Sequence, residues 1–304
     1  WGDYDGDGNL DLFVGFARGA RSRNKLYRNV VDADHEQGRH FVEVGAAMGV
    51  DDFGTTRQPV FIDYDSDGDV DLYVAFRDRP NALYRNDGPG KPFADVAPAL
   101  GLADPRKTVG SLWFDMDQDG DLDVFVANQD GDANGFFRND GVGKFTDVAR
   151  ELGMDGFGRP PVYGGVGATL LDYDNDGDFD LYLGNYGPNN LFRNDGGGKF
   201  TDVAAPLGVA GDYHATTVIA GDYDNDGRED IYVASYLTAV MQARDYLYHN
   251  DGAAGFSDRL PSYVAKHDAT HGVQFFDFDQ DGDLDLMGAD NLQYGSNSLF
   301  RNRK

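Results

Sequence analysis

The 304-residue sequence contains no cysteine, and it has about half as many basic residues as acidic ones, with 26 Lys and Arg against 53 Asp and Glu. The absence of cysteine excludes disulfides as a support of the fold. The formal charge of −27 argues against nucleic acid as a partner, because phosphate binding requires a basic surface. No apolar run of about 18 residues and no signal peptide is present in this stretch of sequence, so no membrane span is predicted in it.

The sequence is rich instead in one acidic motif, DxDxDGxxD, which occurs six times at intervals of 50 to 60 residues. Acidic side chains at alternate positions of a tight loop, with a glycine at the turn, provide the oxygen ligands that Ca²⁺ requires. We expect positions 1, 3, 5 and 9 to ligate through side chains and position 7 through its backbone carbonyl. Positions 1, 3, 5, 7 and 9 of the six loops are Asp3, Asp5, Asp7, Asn9 and Asp11; Asp63, Asp65, Asp67, Asp69 and Asp71; Asp115, Asp117, Asp119, Asp121 and Asp123; Asp172, Asp174, Asp176, Asp178 and Asp180; Asp222, Asp224, Asp226, Arg228 and Asp230; and Asp277, Asp279, Asp281, Asp283 and Asp285.

The residues after each motif distinguish it from an EF-hand. An EF-hand loop has a glutamate at position 12 and continues into a helix. Here position 12 is Val, Leu or Gly, and the following residues, such as DLYVA from position 71, are of the aromatic and β-branched types that favour strands. The loop is therefore predicted to join two strands, and about six Ca²⁺ ions are expected.

Each motif belongs to a longer unit with a second recurring signature. Residues 83–88 (LYRNDG), 136–141 (FFRNDG), 191–196 (LFRNDG) and 247–252 (LYHNDG) combine an aromatic run with Asp-Gly, which is a hairpin signal. A further strand follows, as in FTDV at 145–148 and 200–203. Together with the apolar run before each acidic loop, this predicts four strands per unit, A to D, with the calcium loop between A and B.

A repeated four-stranded unit of about 50 residues is typical of a β-propeller blade. The pattern resembles the FG-GAP or VCBS repeat family, whose blades carry DxDxDGxxD between the first two strands, and is most similar to the bacterial relatives of cartilage acidic protein. The resemblance implies an all-β propeller with calcium-binding blades. It implies little about function, because propellers have many unrelated activities.

The repeats are continuous, so the sequence predicts one domain over residues 1–304. The sequence starts and stops inside a repeat, which predicts about six visible blades of a parent protein with six or seven. Extracellular modules bind Ca²⁺ at about 10⁻⁴ to 10⁻³ M, far above cytosolic levels. We therefore expect a secreted, cell-surface or periplasmic protein.

Two further features of the repeats receive a structural interpretation. The arginine of the second signature (Arg85, Arg193 and their equivalents) is expected to pair across strands with an acid on strand D, such as Asp95 or Asp202. Glu229 stands where the other acidic loops have an apolar residue, so the fifth loop is expected to pack less well.

The predicted B–C and D–A connections differ in charge from the rest of the chain. They contain twelve Lys and Arg against eleven Asp and Glu, whereas the acids predominate elsewhere. Guanidinium groups beside aromatic rings suit an anionic glycan or an acidic protein surface. The alternative is that the calcium loops have simply taken up the acids. The candidate ligand-binding residues are Arg57, Arg106, Lys107, Arg159, Tyr163, His214, His267 and His271.

The favoured function is a calcium-stabilised extracellular binding or adhesion module for a protein or an anionic carbohydrate. The alternative is a polysaccharide hydrolase or lyase, or the scaffold of one, with His214, His267 or His271 as acid–base candidates. No GxSxG or HExxH motif supports catalysis, since the sequence HEQGRH at 35–40 has the wrong histidine spacing. Enzyme activity is therefore the less favoured interpretation.

Overall fold

The protein is described by a computed structural model for residues 1–17, 22–35, 37–141, 143–156, 158–235, 244–262, 264, 270–290 and 297–303. Strands dominate, and helices are limited to single turns. The chain divides into two compact units. The single domain predicted for residues 1–304 stays a prediction.

The first unit comprises Trp1–Asn128 and Gly135–Val148. It contains eleven strands and two short helices in the described residues. The strands are β1 Leu12–Val14, β2 Lys25–Val31, β3 Arg39–Glu43, β4 Thr56–Ile62, β5 Asp71–Phe76, β6 Ala82–Arg85, β7 Ala94–Asp95, β8 Thr108–Phe114, β9 Asp123–Asn128, β10 Gly135–Asn139 and β11 Phe145–Asp147, and the helices are α1 Gly45–Met48 and α2 Ala97–Leu100. The strands form the sheets β1-β2-β3, β4-β5-β6-β7 and β8-β9-β10-β11.

The second unit comprises Gln129–Asn134 and Ala149–Lys304. Its strands are β12 Gly164–Leu171, β13 Asp180–Pro188, β14 Asn190–Asn194, β15 Phe200–Asp202, β16 Asp212–Gly221, β17 Asp230–Ser235, β18 Tyr246–Asn250, β19 Phe256–Asp258, β20 Thr270–Phe276, β21 Asp285–Asp290 and β22 Ser298–Phe300, with α3 Ala204–Leu207 and a 3₁₀ turn at Gly252–Ala254. They form two four-stranded meanders, β12 to β15 and β16 to β19, and the three-stranded sheet β20-β21-β22. The two meanders are joined by pairing between β13 and β16.

Each complete meander has the predicted order of four antiparallel strands, A to D. The acidic loop lies between strands A and B, and the last residue of strand A pairs with the final Asp of the loop, as in Leu171↔Asp180. The prediction of an all-β propeller fold built from four-stranded blades is therefore confirmed.

The B strands β5, β9 and β17 lie inside four-stranded blades and are buried on both faces. All six residues of β5, β9 and β17 are buried. Alternate side chains point to opposite faces of a strand, so each B strand contributes to two different cores. In β17, Ile231 and Val233 pack in one apolar cluster, whereas Tyr232 and Ala234 pack in another. Burial of both faces explains why these strands read as continuous apolar runs.

The acid at the end of strand D stabilises the backbone and does not pair with the arginine of strand C. Asp202 Oδ1 accepts hydrogen bonds from the backbone N–H of Leu191 (3.3 Å) and Ala204 (3.1 Å). Arg193 instead binds Asp195, with its Nε 2.7 Å from the carboxylate. The predicted cross-strand pair was wrong because of register: Arg193 lies opposite Thr201, and Asp202 lies opposite Phe192, so the two side chains leave opposite faces of the sheet.

Candidate functional site

The acidic loops share a backbone conformation that requires special residues at two positions. Position 4 has a φ of 56° to 69° in all six loops and is occupied by Gly, Ser, Gln or Asn. Position 6 is always glycine, with a φ of 84° to 96°. Other L-residues rarely adopt this left-handed conformation, so the glycine of DxDxDG fixes the turn as the sequence predicted.

The same hydrogen bonds organise all six loops. The carboxylate at position 1 accepts the backbone N–H groups of positions 5 and 6 at 2.8 to 3.1 Å. The buried carboxylate at position 9 accepts one N–H from position 2 and one from the Asn of the second signature, at 2.6 to 3.2 Å. These bonds orient the carboxylates at both ends of the loop toward its centre.

The carboxylates at positions 1, 3 and 9 converge in the first four loops. In each of these loops one oxygen of every member lies within 4.8 Å of the others. Two oxygens that each bind a Ca²⁺ ion at about 2.4 Å are separated by at most about 4.8 Å, so these sets fit one ion. The fully buried oxygens Asp117 Oδ1 and Asp279 Oδ1 have no hydrogen-bond partner among the described residues. Buried acceptors of this kind are costly unless a cation compensates them, and we conclude that the residues present suit calcium.

Burial gives the position 9 carboxyl groups unusual acidities. It raises the pKa of Asp71, Asp123 and Asp180 to about 7 and that of Asp230 to about 6, and hydrogen bonds from backbone N–H groups oppose the shift. Burial also raises the pKa of Asp65, with further contributions from the neighbouring Asp67 and Asp63. A nearby divalent cation would favour the ionised forms of these carboxyl groups.

We predict that the metal-free protein becomes more stable as the pH falls from about 7.5 to about 5.5. An unfolded Asp has a pKa of about 3.9, so the folded metal-free state binds protons in this range that the unfolded state does not. The stabilisation is complete below about pH 4 and is lost as the pH rises through about 7. Calcium should reverse the trend, because protons and metal compete for the same oxygens.

The melting temperature of metal-stripped protein at several pH values, with and without added Ca²⁺, measures both trends. A metal-stripped protein that is less stable at pH 5.5 than at pH 7.5 would contradict the assignment of these buried carboxyl groups.

In the first and sixth repeats the strand C arginine lies beside the acidic loop. Arg28 Nε is 2.5 Å from Asp5 Oδ2, and Arg301 Nε is 2.5 Å from Asp279 Oδ2. In both cases the partner is the position 3 carboxylate. The fifth repeat has His249 in place of this arginine. The histidine in LYHNDG marks the fifth acidic loop as different from the others, and the sequence analysis did not identify His249 as a site residue.

Neighbouring repeats are joined at the acidic loops. Asn86 Nδ2 donates to the backbone O of Tyr4 in the preceding loop at 2.7 Å, and Asn250 Nδ2 donates to Tyr173 O at 2.8 Å. Glu229 Oε2 accepts the backbone N–H of Asp172 at 2.7 Å. The expectation that Glu229 weakens the packing of the fifth loop was therefore wrong, because its carboxylate reaches the preceding loop and hydrogen-bonds it.

Three of the candidate ligand-binding residues lie in the first unit. Arg57 and Lys107 are exposed. Arg106 has a structural role: its guanidinium contacts Asp104 at 2.7 Å and Asp147 at 2.8 Å, and it lies over the ring of Phe137. The charge of Arg106 is therefore compensated by two carboxylates within the protein.

Arg159 and Tyr163 lie together in the second unit, at a cleft of about 400 Å³. The other residues of its lining are Gly156, Gly158, Gly164, Asn185, Tyr186, Pro188 and Asn190. Arg159 is half-buried, and its guanidinium donates to Asn134 Oδ1 at 3.0 Å and to the backbone O of Asp132. Burial lowers the pKa of Arg159, but a guanidinium stays protonated at neutral pH. The cleft thus combines an oriented cation with two tyrosine rings.

His214 adjoins the cleft through Tyr186. Their rings stack with centroids 4.5 Å apart and an interplanar angle of 23°. The prediction placed His214 in a connection, but His214 and Tyr186 face each other on the paired strands β16 and β13. Strand β13 continues through Gly187 and Pro188 because β16 supplies a second partner strand.

The two other histidine candidates are His271 and His267. His271 is exposed on β20, where its backbone O accepts a hydrogen bond from Thr217. His267 lies outside the described residues, as do Arg18, Arg21, Phe157, Tyr236 and Tyr294 of the predicted connections.

Comparison with known proteins supports the repeat assignment. The model of the FG-GAP-like repeat matches residues 3–74, 63–126, 115–183 and 172–233. Cartilage acidic protein 1 of Mus musculus is 26% identical over 231 residues, which are 67% of this chain and 34% of that protein. The protein of the same name from Homo sapiens is 26% identical over 227 residues, or 67% of this chain and 33% of that protein. The chain thus spans about a third of the length of these curated relatives.

Solved structures resemble the fold at low sequence identity. An Agrocybe aegerita lectin, described as recognising non-reducing terminal N-acetylglucosamine, is 18% identical with a TM-score of 0.50 over 92% of this chain and 74% of the lectin chain. The V. cholerae biofilm matrix protein Bap1 is 15% identical with a TM-score of 0.52 over 90% of this chain and 40% of its own. These similarities support the fold alone. In the part of the chain that the structure describes, no helix is long and apolar enough to cross a membrane.

Proposed function

The chain belongs to the FG-GAP-like repeat family, and we propose that it is a calcium-stabilised extracellular module that binds an anionic glycan. The observation that carries the proposal is the arrangement of the fourth repeat. Strand β12 begins at the cleft and ends at the loop 172–180, and β13 returns from that loop to the cleft at Tyr186. Metal binding and ligand recognition are thereby assigned to opposite ends of the same strands.

The chemistry of the cleft favours an anionic sugar. Its volume of about 400 Å³ is within the range of sites for small ligands. Arg159 supplies a charged donor for a carboxylate or sulfate group, and charge-assisted hydrogen bonds of this kind are stronger than neutral ones. Tyr163 and Tyr186 supply an apolar ring and a polar hydroxyl each, which suits a sugar that has both apolar and polar faces.

The proposed calcium sites support an extracellular location. Calcium loops of modest affinity fill only where calcium is plentiful, and extracellular modules bind it at about 10⁻⁴ to 10⁻³ M. The names of the relatives agree with this setting, since they include a cartilage acidic protein, a lectin and a biofilm matrix protein.

We expect Arg159→Gln and Tyr186→Ala each to weaken binding to polygalacturonate or dextran sulfate by about tenfold, which corresponds to one lost charge-assisted or stacking contact. Arg193→Ala is the matched control, because it removes an arginine from the same repeat at the calcium end. Affinity can be measured by biolayer interferometry in excess Ca²⁺, with neutral dextran as the uncharged comparison. Because Arg159 bonds to backbone and side-chain oxygens, the melting temperature of each variant must be measured alongside.

Two results would overturn the glycan proposal. The first is equal binding to charged and neutral polymers, which would remove the role of charge. The second is unchanged affinity in both cleft variants together with a loss in Arg193→Ala, which would place binding at the calcium end. Capture of an acidic protein in place of any polysaccharide would assign the cleft to a protein partner.

A further inference from the structure

We propose that the fifth acidic loop, residues 222–230, binds a first-row transition metal ion such as Zn²⁺ or Co²⁺ in preference to Ca²⁺, with His249 as a ligand. The inference rests on the proposed function, since it assumes that the loops of this family hold metal. It assigns to one loop a different metal from that of the other five.

The fifth repeat departs from the others at two places that face the same loop. His249 replaces the arginine that follows the aromatic residues in the other five repeats. Arg228 stands at position 7, where the other loops have Asp or Asn. Its guanidinium contacts Asp226, and its Nε donates to the backbone O of Asn250 at 2.7 Å. The loop therefore has an imidazole where the other repeats have a guanidinium, and this exchange supplies a nitrogen ligand that calcium does not favour.

The distances within the group fit a shared metal ion. His249 Nε2 is 3.1 Å from Asp224 Oδ2 and 3.5 Å from Asp226 Oδ2. Ligand atoms at about 2.1 Å from one ion are about 3.0 Å apart in octahedral and about 3.4 Å apart in tetrahedral coordination. The side chain of His249 is only 9% exposed, so its ring is held in this position.

The other ring nitrogen has the partner that metal-bound histidines usually have. His249 Nδ1 lies 2.9 Å from Asp251 Oδ1, and Arg259 contacts the same carboxylate oxygen at 2.9 Å. A carboxylate at this nitrogen fixes the proton on Nδ1 and turns the lone pair of Nε2 toward the metal. In that tautomer, Nε2 and the oxygens of Asp224 and Asp226 are all acceptors, so they repel one another unless a cation lies between them.

One carboxylate oxygen of the group has no hydrogen-bond donor in the described part of the chain. Asp224 Oδ1 is fully buried and has no hydrogen-bond partner in the described part of the chain. Loss of hydration without a compensating contact is unfavourable for a carboxylate. This orphan oxygen, together with the oriented imidazole, distinguishes the group from a mere cluster of acids.

The type of ligand decides the choice of metal. Calcium prefers oxygen ligands throughout, whereas an imidazole nitrogen suits Zn²⁺, Co²⁺ and related ions. The first four loops place only carboxylates in the corresponding cluster, so they should retain calcium.

The test uses metal-stripped protein equilibrated with excess Ca²⁺ and equimolar Co²⁺. The visible spectrum of Co²⁺ reports nitrogen ligation, and elemental analysis after desalting counts both metals. We expect wild-type protein to retain about one Co²⁺ per chain, His249→Arg to retain none, and Asp251→Asn to bind Co²⁺ about 10- to 100-fold more weakly, as measured for comparable outer partners. Arg193→Ala, at the equivalent place in the fourth repeat, should leave Co²⁺ retention unchanged.

A second histidine group serves as an internal control for adventitious binding. His40 Nδ1 is 3.3 Å from Asp32, and the rings of His35 and His40 are 5.6 Å apart. If His40→Ala abolishes Co²⁺ retention while His249→Arg does not, the ion belongs to that group and the inference is wrong. Displacement of Co²⁺ by calcium in the wild-type protein would also overturn it, because the loop would then be an ordinary calcium site.

The calcium count separates this inference from the proposed function. Bound calcium without Co²⁺ retention would refute only the transition-metal site, because the remaining loops would still behave as proposed. Protein that binds neither ion would refute the calcium-stabilised module itself. If His249→Arg does not fold, Asp251→Asn and its Co²⁺ affinity decide the question, since this variant retains the imidazole.

Discussion

Removal of calcium is expected to lower the melting temperature of this protein by about 20 °C or to unfold it at room temperature. A metal that binds only the folded state stabilises it by about 2.7 kcal/mol per site when its concentration is 100 times the Kd. Several such loops together contribute on the order of 10 kcal/mol, which is comparable to the whole stability of a typical domain. About 2 °C per kcal/mol is a reasonable conversion for a chain of this size.

Thermal unfolding in chelator, and again after calcium is restored, measures this dependence. Magnesium provides the control, because it demands near-octahedral geometry and gives up its water reluctantly, so it should restore little stability. A melting temperature that is the same in chelator and in calcium would show that the loops are held by their hydrogen bonds alone.

The second large effect is expected from Asn86→Ala. Asn86 is 1% exposed, and its Nδ2 donates to Tyr4 O at 2.7 Å and to Val70 O at 3.1 Å. Its Oδ1 also accepts the backbone N–H of Gly88 at 3.1 Å. The substitution leaves these buried groups unsatisfied, and each such group costs about 1 to 3 kcal/mol. We therefore expect a loss of about 3 to 5 kcal/mol in the free energy of unfolding.

Asn139→Ala is the matched comparison within the same unit. Its side chain bonds Leu122 O at 3.4 Å and the N–H of Gly141 at 3.1 Å, both within its own repeat. Chemical denaturation in saturating Ca²⁺ should therefore show a smaller loss for Asn139→Ala than for Asn86→Ala. Equal losses would mean that the bond from Asn86 to the preceding repeat contributes little.

The features that the sequence predicts well are those that recur in every repeat. The glycine at position 6 and the alternate acids determine the acidic loop, because few residues tolerate a φ near 90° and the carboxylates have local N–H donors. The apolar runs after each loop predicted strands. Such signals are local in sequence, and six copies reinforce one another.

The errors involve side chains whose partner depends on strand register or on a residue of another repeat. Whether Arg193 contacts Asp195 or Asp202 depends on a one-residue register, which composition does not reveal. The bond from Glu229 to Asp172 and the pairing of Tyr186 with His214 join different repeats. These contacts depend on how neighbouring blades pack, and the sequence of a single repeat does not contain that information.

The burial of β17 on both faces has a consequence for how the sequence of this protein can vary in length. Insertion of one residue within β17 would exchange the side chains of its two cores, whereas insertion in the connection after Ser235 would leave the strand register unchanged. The six loops are accordingly separated by unequal intervals, while every loop keeps nine residues. Insertions and deletions are thus tolerated in the connections but disrupt the strands. A connection can therefore change to bind a new ligand at one end of a blade while the buried core stays the same.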